Sequence, residues 1–281
     1  MGKTRRWFRW LCWTAVVLAC LGGLAWGGVF LATEREMVVP PLLTAAPVRL
    51  PAGDVAEGER LARVLGCRGC HGPDLGGRVF VEIPHVVLLV APNLTQVRAR
   101  YDDRAFVRLM RSGAKADGRL ALVMPSKAFQ RLRDDQLSHL LAYLRAVEPV
   151  ANELPPTRIQ LPARIGMLTG KFDLDRFRAD KPESPAVLAD RHEAGTGRHL
   201  ALVACAECHG MDLAGFPEEG TPGLVVAKAY DDAEFDRLMR EGITKAGGES
   251  ASGMMSAVAR DRFSALTDEE VAALKRFLDQ R

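Results

Sequence analysis

The hydrophobic pattern of this chain changes character at residue 34. Before it, apolar residues are continuous: Arg9 and Glu34 bracket 24 residues without a charge. A helix needs about 20 apolar residues to cross a bilayer core. The apolar core of a cleaved signal peptide is shorter, about 7–15 residues. The run therefore predicts a single transmembrane signal-anchor, with a cytoplasmic stub, over residues 1–33. Lys3, Arg5, Arg6 and Arg9 precede the run with no acid among them. The positive-inside rule keeps that end in the cytoplasm and sends the rest of the chain across. Trp7, Trp10, Trp13 and Trp26 stand near the two ends of the run, where interfacial aromatics gather. A lipid anchor at Cys20 fits less well, because apolar sequence continues past it.

After the anchor the pattern turns helical, and it repeats. Leu137, Leu140, Leu141 and Leu144 follow helical spacing after Asp134 and Asp135. Val271, Leu274, Phe277 and Leu278 do the same after Thr267-Asp268-Glu269-Glu270, a capping-box sequence. Tyr101–Gly113 and Tyr230–Gly242 agree at nine of thirteen positions and predict a middle helix in each copy. Neither copy shows an alternating strand pattern. The fold class expected is all-α: an N-terminal helix, a turn, a loop, a middle helix, a second loop and a C-terminal helix, twice over. The boundaries expected are a linker at 34–50, a first unit at 51–150, a connection at 151–190 and a second unit at 191–281. Pro155, Pro156, Pro162, Pro182 and Pro185 predict that the connection is extended and non-helical. Ile165-Gly166-Met167-Leu168 and Phe172 within it predict packing against both units.

The formal net charge of +3 changes meaning once the anchor is set aside, since residues 34–281 carry a net of −1. The basic surplus is an orientation signal, and no nucleic-acid partner is expected. The units differ in sign: residues 49–150 sum to +5 and residues 195–281 to −5. This predicts either directional docking of oppositely charged partners, through steering, or docking of the units on each other.

Four of the six cysteines carry the chemistry. Cys67-Arg68-Gly69-Cys70-His71 and Cys205-Ala206-Glu207-Cys208-His209 both have the haem c attachment spacing. Two thiols about one helical turn apart can bond the two vinyl groups of one porphyrin, and the next residue is then placed as proximal iron ligand. A thioredoxin-like pair or a zinc site explains neither histidine. Cys67–Gly77 and Cys205–Gly215 agree at seven of eleven positions, and Ala91-Pro92-Asn93-Leu94 parallels Thr221-Pro222-Gly223-Leu224.

On these motifs the chain resembles the class I cytochrome c family in tandem, over roughly residues 50–150 and 191–281. The resemblance implies two covalently bound haem c groups with iron. It implies that the carbonyls of Pro92 and Pro222 hold His71 and His209. It also implies distal methionine ligands on late loops. Met124, just before Pro125, matches for the first unit; Met255, with Met254 as the alternative, for the second. The iron ligands expected are then His71, Met124, His209 and Met255. Met110 and Met239 occupy equivalent helical places and read as core. His85 and His192 are expected in loops, His139 as surface or core filler, and His199 on the wrong side for a distal ligand.

The resemblance implies an electron carrier rather than an enzyme. It is similar to cytochrome subunits of periplasmic dehydrogenases, with haem domains in the periplasm and a single-pass anchor in the inner (cytoplasmic) membrane. The partners expected are redox proteins (a dehydrogenase, an oxidase or a soluble cytochrome) in a respiratory chain, with no small-molecule substrate. The alternative is a dihaem enzyme of peroxidase or thiosulfate-oxidising type with one open haem, most readily in the second unit.

Overall fold

The computed structural model describes residues 2–39, 49–96, 101–179 and 184–281. The apolar run lies in one helix, Gly2–Glu36, long and apolar enough to span a membrane. Its side chains from Trp7 to Leu31 are largely exposed.

Each unit is built on a crossing of its first and last helices. In the first, Val55–Val64 is capped by Asp54, whose carboxylate accepts from the Glu57 amide at 2.8 Å. It packs across Asp134–Ala146, which buries Leu137, Leu140, Leu141 and Leu144. The axes approach closely because residue 58 is glycine. A Cβ there would collide with the His139 carbonyl. The second unit repeats the device: Thr196–Leu200 crosses Asp268–Asp279, and a Cβ on Gly197 would collide with the Ala273 carbonyl. Thr267 and Glu270 form the expected capping box.

The middle helices, Asp103–Ser112 and Asp232–Glu241, are matched in detail. Asp102 and Asp231 cap them, and both end on left-handed glycines, Gly113 and Gly242, with φ near +70°. Met110 and Met239 are buried on them, as core residues would be. A single buried cluster runs through both units, so they share one apolar interior.

Three expectations are corrected. The first unit contains an antiparallel hairpin within its mostly helical fold: β1 (Arg78–Ile83) pairs with β2 (Val87–Ala91), and β3 (Arg158–Ile159) of the connection adds to β2. Val79, Phe80, Val81, Ile83, Val87, Val90 and Ile159 give it the β-branched and aromatic residues that strands prefer. Nearly all of β1 is exposed on both faces, so no alternation is written into it. Second, the connection is not wholly extended. It carries helices Leu161–Leu168 and Pro185–His192. Pro162 and Pro185 fall in the first turns, where the missing N–H has no intrahelical partner to lose. Pro182 lies outside the described residues. Third, His192 ends the second of these helices instead of lying in a loop.

Candidate haem-attachment sites

The first motif folds as one short helix, Cys67–His71, entered through the left-handed Gly66. Arg78, at the start of β1, donates to the carbonyls of Gly69 and Cys70 and so closes the helix's open end. His71 Nδ1 lies 2.8 Å from the Pro92 carbonyl. A carbonyl only accepts, so Nδ1 carries the hydrogen and the Nε2 lone pair is left for a metal. Burial lowers the His71 pKa, against the opposing pull of the Pro92 bond, and so favours the neutral ring that ligation needs. Burial pushes the Cys67 thiol up to about 12. The Pro92 loop is clamped to the end of the unit: Asn93 Nδ2 donates to the Val150 carbonyl at 2.8 Å, and Thr95 Oγ1 accepts from the Val150 amide at 3.0 Å.

The second motif is reached differently. The helix from Thr196 runs on through a π-helical turn, Ala201–Cys205, into Ala206–His209. His209 Nδ1 meets the Pro222 carbonyl at 2.8 Å, the same bond as in the first unit. Burial lowers the His209 pKa and pushes the Cys205 thiol up to about 12. His71 and Pro92 are 21 residues apart, whereas His209 and Pro222 are 13 apart. The hairpin β1–β2 accounts for the longer path of the first unit.

A turn after each motif is absent from the expectations drawn on sequence. Leu75 and Leu213 both adopt φ near +60°, a costly conformation for a branched residue, and both are buried. Asp74 and Asp212 hold these turns by accepting from the Gly76 and Ala214 amides. Each leucine carbonyl then accepts from the loop carrying the proline, at Leu94 N and Leu224 N. The Asp-Leu pair repeated in both copies is the legible signal.

A cavity of about 740 Å³ opens on the first motif and is lined by Cys67, Cys70, His71, Pro92 and Met124. Paired thiols, a neutral imidazole with a free nitrogen, a thioether and an apolar cavity of ligand size suit a covalent haem. In the second unit Met255 packs against the core, whereas Met254 is 64% exposed. The register points the other way. Ser126 and Ser256 are equivalently placed and fully buried, and Met254 precedes Ser256 as Met124 precedes Ser126.

The remaining histidines have structural partners or turn positions. His139 Nδ1 accepts from the Asp54 amide at 2.8 Å, so it ties the helix crossing. His85 sits in the β1–β2 turn with φ +60°. His199 is buried, with Nε2 2.8 Å from Gln136 Oε1 of the first unit. Burial, the largest influence, pushes it down to about 4.

The two sites adjoin. Glu207, inside the second motif, lines the first cavity. After burial, the largest influences on the Cys70 thiol are Glu207, which raises its pKa, and Arg262, which lowers it. Around this junction Arg60 pairs with Glu270 at 2.7 Å, and Arg63 donates to the Asp261 carbonyl at 2.6 Å. Part of the opposite charge of the units thus meets across their interface.

Residues 55–148 and 194–281 match the sequence profile of the cytochrome c family, and the chain belongs to that family. It is an electron-transfer c-type cytochrome, and the family's haem c is covalently bound. Over 158 residues it is 27% identical to one of the subunits of the nicotinate dehydrogenase of Pseudomonas putida. The match covers 53% of this chain and 13% of that protein's length.

Proposed function

We propose that this chain is a dihaem relay, fixed in the cytoplasmic membrane by residues 1–33 with both haem units, residues 51–150 and 191–281, in the periplasm. The carrying observation is that there are two equivalent short helices, each with its histidine held by a proline carbonyl, and that Glu207 of the second lines the cavity of the first. Bound haem supplies reversible one-electron chemistry at iron. The chain's own residues do the rest. Cys67, Cys70, Cys205 and Cys208 hold the two groups. Pro92 and Pro222 fix the rings of His71 and His209, and the shared apolar interior keeps water away. Met124 and Met255 complete the ligation, with Met254 the alternative on its register. With a histidine and a methionine both in place, the iron would have no position left for a substrate, and the chain would pass electrons rather than catalyse.

The relative from a dehydrogenase supports redox proteins as partners, and a dehydrogenase, an oxidase or a soluble cytochrome fits that description. Haem content per chain, read with the near-infrared sulfur-to-iron(III) band of the oxidised protein, tests the reading. Two haems with band intensity for both are expected. Two haems with intensity for one would favour the enzyme alternative, with an open iron in the second unit. A single haem would overturn the dihaem relay.

A further inference from the structure

The helix Leu161–Leu168 has no charged outer face. Its one ionic residue, Arg164, is buried and turned inward. Arg164 donates to Thr33 Oγ1 and to Glu34 at 2.6 Å each, and its guanidinium lies 4.1 Å from the centre of the Phe30 ring. What remains outside is Leu161, Ile165 and Leu168, between 39% and 48% exposed. These positions, four and three apart, form one stripe. A short helix with a purely apolar exposed face requires a cover.

Its depth identifies the cover. The helix packs on the last turns of the anchor, at the level of Phe30 to Glu34, which spans roughly 6 Å of helix axis. Leu31, 55% exposed, and Phe30, 40% exposed, still belong to the apolar run, whereas Glu34 is its first charge. The stripe therefore sits at the boundary between acyl chains and headgroups. Interfacial helices bury their apolar faces about 5–10 Å deep in this layer. The hairpin tip adds to the same surface: Gln160 N donates to the Val86 carbonyl at 3.0 Å, and Ile83 is 50% exposed. Exposed Arg158 and Lys171 flank the helix, as cations beside anionic headgroups do.

We propose that Leu161–Leu168 is a second, monotopic membrane contact, its stripe of Leu161, Ile165 and Leu168 seated in the outer headgroup layer of the phospholipid bilayer. It rests on the membrane-anchor reading above. The anchor then cannot act as a flexible tether. Met37, buried just after the anchor, and Ile159, just before the stripe, both line the first cavity. The first site is thus held at the membrane surface.

Spin labels on the full-length holoprotein test this, in a Cys12→Ser, Cys20→Ser background reconstituted in phosphatidylethanolamine and phosphatidylglycerol vesicles, with the iron reduced. Ile165→Cys is compared with Leu18→Cys in the anchor and Val225→Cys on the second unit. The ratio of oxygen to nickel-chelate accessibility is expected to be clearly higher at 165 than at 225, and lower than at 18, as a site at headgroup depth requires. A label at 165 that behaves like 225, while 18 stays in lipid, overturns this proposal alone and leaves a protein partner as the cover. A water-accessible label at 18 overturns the anchor reading and this inference with it.

Discussion

Arg262 of the second unit lies directly over Gly66 of the first, where a Cβ would collide with its guanidinium. Its Nη1 donates to Glu207 Oε2 at 2.9 Å, and both side chains are mostly buried. A cation is thereby held between the two attachment helices, and its pairing with Glu207 keeps a buried carboxylate from standing alone beside the first cavity.

Replacing Arg262 by Met removes that cation. A nearby positive charge disfavours the oxidised iron, so its loss should lower the midpoint potentials. At an effective dielectric constant near 20 the effect is about 1 kcal/mol, or roughly 40 mV for one electron. Redox titration of the variant checks this. Unchanged potentials would mean that Arg262 only packs.

His199 makes stability depend on pH. Its imidazole falls to about 4 in the fold, against an ordinary 6.5. Above pH 7 it is neutral in both folded and unfolded chains and has no effect. As pH drops below 6.5 the unfolded chain takes up the proton first, so stability is lost down to about pH 4, by about 3 kcal/mol in all. Denaturant unfolding of His199→Gln at pH 7 and pH 4.5 should show a smaller loss than the parent. An equal loss in both would exclude His199 as the source.

Gly58→Ala and Gly197→Ala place a methyl group against a backbone carbonyl of the crossing helix. At an open helical site the same change would stabilise by about 1 kcal/mol. Here each should destabilise by about 1–3 kcal/mol, since the helices must separate. Equilibrium unfolding of each variant measures this, and a gain in stability would show that the crossing is not close.

Met255→Ala should remove the second unit's share of the sulfur-to-iron(III) band and lower that haem's potential, whereas Met254→Ala should leave both unchanged. The reverse result would follow the Ser126 and Ser256 register and assign Met254.

The sequence alone determined what depends on neighbours within a few residues. The candidate thiols and histidine of each motif stand at a fixed covalent spacing, so Cys67, Cys70, His71 and their repeat mates were legible as candidates. So were the helices written by period and caps, such as Asp268–Asp279, and the long apolar N-terminal helix, written by composition. The tertiary structure decided what depends on partners far along the chain. The hairpin was hidden because β1 is exposed on both faces. Prolines 162 and 185 look like breakers in sequence because only a helix's start makes them harmless. Gly58 acquires its role from residue 139, His199 from residue 136, and Arg262 from residue 66. These contacts join segments more than 60 residues apart, which a local pattern cannot encode, because they exist only once loop-closure entropy has been overcome by the apolar interior the two units share.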